Sequence, residues 1–323
     1  MSRILTGIQS SGLPHLGNVL GAMLPAIELS KTNESFFFIA DLHALTTTKN
    51  KNTLLTNTLE TAAAWLACGL DTKNNILYKQ SDIPQVAELM WYLNCITPYP
   101  MLANAHSFKD KSNQLSDVNA GLFTYPVLMA ADIILYNAEI VPVGKDQLQH
   151  LEITRDIANK FNHLFGETFV IPESKIENQH MIIPGTDGRK MSKSYNNVIS
   201  VFAEEKILKK QIMGIVTDSK QLDEPKNPDN CNIFQIFKLI ATESEIKDLT
   251  QQYRKGGFGY GHAKNKLLDL ILEKFQEPRN KFQELIKEPE IIEMELSRGA
   301  NQARDVASSV LKKVKLNLGL MRA

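Results

Sequence analysis

The stretch Thr6–Gly21, TGIQSSGLPHLGNVLG, decides how the rest of the chain is read. Arg3-Ile4-Leu5 leads into it as a short, largely apolar run, the pattern of a buried strand. Beyond Pro14, the residues Val19, Leu20, Met23, Leu24 and Ile27 recur at helical spacing. The segment is therefore strand, small-residue turn, helix. Such a junction leaves backbone N–H groups unpaired and turns the positive end of a helix dipole toward whatever lies above it. An anion such as a triphosphate suits that place. Gly7 to Gly12 has the GxxxxG spacing of a phosphate loop, but Leu13 stands where that loop needs Lys. No GxGxxG fingerprint follows the strand.

Outward from this junction, strand and helix alternate. Phe36-Phe37-Phe38-Ile39-Ala40 is a continuous apolar run, as in a parallel strand covered on both faces. It ends at Asp41-Leu42-His43, which places Asp41 and His43 at the carboxyl end of the strand, where open α/β sheets bind ligands. The periodicity predicts helices from about Thr53 to Cys68 and Val86 to Cys95, with a strand at Ile76-Leu77-Tyr78 between them. Residues 104–120 are polar and read as a loop. A helix follows in which Pro126 suits the first turn. On it Tyr125, Met129, Asp132 and Tyr136 share one face at spacings of four, three and four. Asp132 is then a carboxylate in an apolar helix, and burying it unpaired costs several kcal/mol. No basic residue lies within two turns, so a donor must come from elsewhere. Aromatic and Met neighbours around one acceptor fit a flat ring carrying one N–H, and indole is donor-only. Ile140-Val141-Pro142-Val143 is a further strand, and Asp146 with Gln149 has capping-box spacing at the head of a helix from Gln147 to about Phe161. That places Gln147 and His150 at the helix N-terminus. Met181-Ile182-Ile183 reads as a last short strand before the glycine-rich loop Gly185–Ser194. Beyond Ser200 the pattern is helical near 203–215, 231–241, 244–254, 263–287 and 301–317. The whole predicts an α/β fold, a doubly wound parallel sheet followed by an α-helical C-terminal part.

Composition sets the bounds. The chain has 323 residues, is 43% hydrophobic and 22% charged, and is formally neutral, ordinary for a soluble protein of about two domains. A strand begins within a few residues of the N-terminus, so no signal peptide is expected. No apolar run reaches bilayer length. Cys68, Cys95 and Cys231 are scattered and not in CxxC spacing, the pattern of reduced thiols in a cytosol with no metal site. A slight basic excess after residue 200 permits nucleic-acid contact there.

Four motifs carry a resemblance. His15-Leu16-Gly17-Asn18 resembles the HIGH signature of class I aminoacyl-tRNA synthetases, with Asn18 in place of the last His. Lys190-Met191-Ser192-Lys193-Ser194 is a full KMSKS sequence, some 170 residues downstream. Val141–Asn162, VPVGKDQLQHLEITRDIANKFN, and the Phe108–Ser112 segment FKDKS both resemble the tryptophanyl-tRNA synthetases. The chain thus looks like a bacterial-type member of that family over essentially its whole length, although Ser10 stands where the family usually has Pro.

The resemblance implies a Rossmann-like catalytic domain at 1–183, a KMSKS linker at 184–200 and a helical anticodon-binding domain at 201–323. It implies ATP with Mg²⁺, L-tryptophan and tRNA(Trp) as substrates and partners, a cytoplasmic homodimer, and no membrane or DNA partner. Gln9, Ser10, Ser11, Gly17 and Asn18 would hold ATP from below, with His15 on the phosphates. Gly144, Lys145 and Asp146 would face the ribose, and Met181 and Met191 the adenine. Lys111, Lys190 and Lys193 would stabilise pyrophosphate, helped by Ser192 and Ser194. Tyr125, Gln147 and His43 would orient the amino acid's polar groups. Asp132 would accept the indole N–H, with Met129, Leu5, Gly7, Val141 and Val143 around the ring. Rival readings are a tyrosyl-tRNA synthetase, a small-molecule nucleotidylyltransferase and a catalytically idle paralogue.

Overall fold

The computed structural model describes residues 2–106, 108–109, 118–144, 147–175 and 183–322. Five parallel strands form one sheet: β1 Arg3–Gln9, β2 Glu34–Ala40, β3 Ile76–Lys79, β4 Ile140–Pro142 and β5 Glu173–Lys175, in the order β3-β2-β1-β4-β5. The chain winds outward from β1 through β2 to β3, then returns to β1's other side with β4. The order therefore reverses between β1 and β4, and a crevice opens at their carboxyl ends. β2 is buried along Ser35–Ala40. Its Phe36, Phe38 and Ala40 enter one core and Phe37 and Ile39 the other, as the two-residue period of a strand requires.

The expected doubly wound sheet is present, with differences at its margins. Among the described residues the last strand is Glu173–Lys175, whose polar residues gave no apolar signal. Ile183 carries no strand, and Met181 and Ile182 lie outside the described residues. Pro126 sits inside the helix Ala120–Ile134, not in its first turn, because Asn119 caps the helix earlier by accepting from the Leu122 N–H at 3.1 Å. Tyr136 falls beyond that helix and packs against Phe36 and Tyr78. The helix after β4 is Leu148–Phe165, and Asp146 lies outside the described residues. The capping box expected of Asp146 with Gln149 therefore lies outside the described residues; the Gln149 Oε1 accepts from the His106 backbone N–H at 2.8 Å.

After residue 200 the helices are Glu205–Met213, Asn232–Phe237, Glu243–Lys255, Tyr260–Lys274, Gln276–Lys287 and Pro289–Asn317. The span expected as one helix over 263–287 is broken at Phe275, which leaves the helical region with ψ near 16° at φ −107°. The final helix begins twelve residues before the expected 301 and returns to the sheet. Its Ile292 and Leu296 enter one core and its Ala300, Ala303 and Val310 the other. It crosses β3 at Gly299, where a Cβ would lie 1.9 Å from the Leu77 carbonyl oxygen. Only glycine permits that approach, and the helix thereby covers the β3 edge. Among the described residues no helix is long and apolar enough to cross a membrane.

Candidate active site

A cavity of about 1010 Å³ occupies the crevice above β1 and β4. One end lies over the His15–Asn18 turn. His15 caps the helix: its Nδ1 accepts from the Asn18 N–H at 3.2 Å, while the Asn18 Oδ1 accepts from the His15 N–H at 3.1 Å. Burial, then the nearby Lys193 ammonium, lowers the His15 pKa to about 4. The ring is neutral at pH 7, and since Nδ1 accepts, Nε2 carries the proton. Gly17 lies under the Met191 side chain, donating its N–H to Sδ at 3.3 Å. A Cβ at Gly17 would come to 3.0 Å from the His15 ring and 3.4 Å from the Met191 Cβ.

The KMSKS loop closes this end. Asn197, 1% exposed, staples it: Oδ1 accepts from the Ser192 N–H at 2.8 Å, and Nδ2 donates to the Asp187 Oδ1 at 2.7 Å and the Lys190 carbonyl at 3.1 Å. The Leu16 N–H donates to the Ile199 carbonyl at 2.8 Å, tying the turn to the chain after the loop. Lys193 Nζ donates to the Ser11 carbonyl at 3.2 Å, and the Ser192 and Ser194 hydroxyls are 2.9 Å apart. Burial lowers the Lys193 pKa to about 8, opposed by the Glu60 carboxylate.

The other end is buried between Leu5, Gly7, Phe38, Tyr125, Met129, Ile133, Val141 and Val143, with Asp132 in its wall. Asp132 is 2% exposed, and burial pushes its pKa up. Its partners are side chains from the carboxyl ends of β2 and β3. His43 Nε2 lies 3.0 Å from Oδ2, and Gln80 Nε2 lies 2.9 Å from Oδ1 and 2.8 Å from Oδ2. The tautomer with Nε2 protonated lets His43 donate. Behind this pair the Tyr125 hydroxyl and His150 Nε2 are 2.6 Å apart.

Of the residues read from sequence, the cavity wall gathers Leu5, Gly7, Gln9, Ser11, His15, Gly17, Asn18, His43, Tyr125, Met129, Asp132, Val141, Val143, Gly144, Gln147, Lys190, Met191, Ser192, Lys193 and Ser194. The Ser10 side chain is fully buried and does not line the cavity. His150 lies in the first turn of Leu148–Phe165, as read from sequence, and is buried with its Nε2 on the Tyr125 hydroxyl. Lys111, Lys145, Asp146 and Met181 lie outside the described residues. Gln80, Phe38, Ile133 and Asn197 belong to the site without having been singled out. Gln80 directly follows β3, so its position at the carboxyl end of a strand was the available signal.

A parallel sheet with a HIGH-like turn and a KMSKS loop docked on it defines a class I nucleotide-activating fold. The chain belongs to the class I tRNA synthetases of the W and Y type, whose family model matches residues 1–276. It is 48% identical to the tryptophan–tRNA ligase of Rhodopirellula baltica, over 98% of this chain and 99% of that one. It is similar to the crystal structure of the Campylobacter jejuni tryptophanyl-tRNA synthetase complexed with ADP and tryptophan, with TM-score 0.94 and 46% identity, covering 98% of this chain and 99% of that one. The fold is shared with the tyrosyl-tRNA synthetase of Archaeoglobus fulgidus at TM-score 0.64 and 18% identity, over 87% and 90% of the two chains.

Proposed function

We infer that this chain is a tryptophan–tRNA ligase. It activates L-tryptophan with ATP to tryptophanyl-adenylate and pyrophosphate, then passes the tryptophanyl group to the terminal ribose of tRNA(Trp). The observation that carries the reading is a cavity with a docked KMSKS loop at one end and, at the other, an apolar wall in which Asp132 is the one buried carboxylate among the described lining residues. The identity to tryptophan–tRNA ligases supports the same assignment.

In the first step a carboxylate oxygen of tryptophan attacks the α-phosphorus, the bond to the bridging oxygen breaks, and pyrophosphate leaves. No proton transfer is needed, so positioning and neutralisation of charge do the catalysis. His15 donates Nε2–H to a phosphate oxygen, and Gly17 and Asn18 give the nucleotide a bare backbone to lie on. Lys190 and Lys193, with the Ser192 and Ser194 hydroxyls, take the charge developing on pyrophosphate. Gly144 lies beside the ribose and Met191 covers the adenine. Gln147 and Tyr125 hold the amino acid's polar end; His43, expected there too, sits instead on Asp132, which accepts the indole N–H. Lys111, Lys145, Asp146 and Met181 join these by resemblance. Among the described residues no group of three or more His, Cys, Asp or Glu side chains is arranged to hold a metal ion. Mg²⁺ would be held by the phosphates of ATP, where this ion often keeps several waters. Residues 201–323 supply anticodon recognition, 1–183 the catalysis and 184–200 the linker, in a cytoplasmic homodimer.

The test is pyrophosphate exchange into ATP with each of the twenty amino acids supplied singly. Exchange with tryptophan alone is expected. Exchange with tyrosine would overturn the pocket assignment, and none at all from folded protein would favour an idle paralogue.

A further inference from the structure

Gln80 is fully buried, yet its carboxamide is turned toward a charge. Its Nε2 bridges both oxygens of Asp132, at 2.9 and 2.8 Å. Its Oε1 accepts from the His43 backbone N–H at 3.3 Å, which fixes which end of the amide faces the carboxylate. The turn bearing Gln80 is itself pinned: the Ser81 N–H and hydroxyl lie 2.9 and 2.5 Å from the two Asp41 oxygens. Asp41 is anchored at the end of β2 and also accepts from the Leu42 N–H at 3.0 Å. Two strand ends are thus locked together for the benefit of one side chain.

A carboxylate offers about four acceptor positions. Gln80 Nε2 spans both oxygens of Asp132, and His43 adds a donor on Oδ2. Among the described residues Oδ1 has no second donor. We propose that Gln80 is a positioning and specificity-determining residue for amino-acid recognition: by saturating Asp132 on its protein side it leaves a single, oriented acceptor for one ring N–H. The inference rests on the tryptophan reading above and deepens it. Without Gln80 the carboxylate loses its only two-point tether, keeps one hydrogen bond to His43, and can rotate about its terminal torsion, which is broad for Asp. It also becomes a buried charge with fewer donors, so it takes up a proton more readily, and one of its oxygens then becomes a donor that opposes the ring N–H.

The experiment is pyrophosphate exchange with the full chain, comparing wild type, Gln80→Leu and Gln80→Glu. Substrates are tryptophan and the analogue in which sulfur replaces the ring N–H. Wild-type exchange with tryptophan checks the functional reading by itself; its absence would remove that reading and this inference together. Given that exchange, Gln80→Leu should raise the tryptophan KM roughly 30-fold or more. Its kcat should stay within about threefold and its ATP KM within about twofold, and the analogue should be unaffected. Gln80→Glu should bind tryptophan poorly at pH 8 and recover toward pH 6, because a proton shared by two adjacent carboxyls restores a donor. A merely structural role would give neither the analogue's indifference nor the recovery at low pH. An unchanged tryptophan KM in Gln80→Leu would overturn the proposal. So would equal losses for tryptophan and its analogue, or parallel losses toward tryptophan and ATP. Should Gln80→Leu fail to fold, the pH profile of Gln80→Glu decides alone, and a flat profile would contradict the proposal.

Discussion

The two ends of the cavity are built by opposite means. The phosphate end is made of backbone and loops: the capped His15–Asn18 turn, Gly17, and a KMSKS loop held down by Asn197 and the Lys193–Ser11 contact. Among the described residues Lys193 donates to a main-chain carbonyl, a partner it can exchange for a charged one. The ring end is made of side chains on strand ends and two helices, each with a partner fixed by burial: His43 and Gln80 on Asp132, His150 on Tyr125. A group that must accept and release charge in each turnover is served by an adjustable site. A group that must distinguish one ring from another is served by a rigid one, because a buried polar atom left without a partner costs about 1–3 kcal/mol.

Variants at the two ends should therefore separate chemistry from recognition. Lys193→Ala is expected to cause the largest loss, lowering the exchange kcat by roughly 10²–10³ with little change in the tryptophan KM, as for loss of one transition-state donor. Unchanged turnover would remove the KMSKS loop from the mechanism. Asp132→Asn should raise the tryptophan KM by about 10–100-fold while the ATP KM stays near normal, because its amide presents donors where Gln80 and His43 already donate. Parallel losses in both would make Asp132 a purely structural residue. Gly17→Ala should lower kcat/KM for ATP by about tenfold, its methyl meeting the His15 ring and Met191, at the low end of overpacking costs. An effect on tryptophan instead would blur the division.

The smallest effect is a pH limb. With the Lys193 pKa lowered to about 8, the ammonium is present below that pH and lost above it. The ATP kcat/KM, which reports the free enzyme, should then fall as pH rises through about 8, and Lys193→Arg should abolish the fall. His15, neutral above about 4, should contribute no limb near neutrality.

The same division explains what was legible in the sequence. The phosphate end is written in contiguous motifs, because a strand, a turn and a helix start must follow one another along the chain to make an anion site. The apolar core of the sheet was equally plain in Phe36–Ala40. Asp132 was conspicuous as a lone carboxylate among apolar residues, but its partner was not. Gln80 lies 52 positions away in sequence, and an amide after a short strand looks like an ordinary turn residue until the sheet brings it to Asp132. Asn197 lies only 5 to 10 positions from its partners, but an amide just past the KMSKS motif looks like an ordinary loop residue. Strand β5 escaped because a polar edge strand lacks the apolar signature, and the early start of the final helix because its register is set by contact with β3 at Gly299.

The most direct test of the account is the ratio of exchange efficiencies for tryptophan and for the analogue in which sulfur replaces the ring N–H, measured on the wild-type chain at saturating ATP. The two rings match closely in shape, so the ratio isolates the hydrogen bond to Asp132. A site built on a single saturated carboxylate should prefer tryptophan by roughly 10⁴-fold. An analogue accepted within about tenfold of tryptophan would mean that the apolar wall, and not Asp132, selects the substrate.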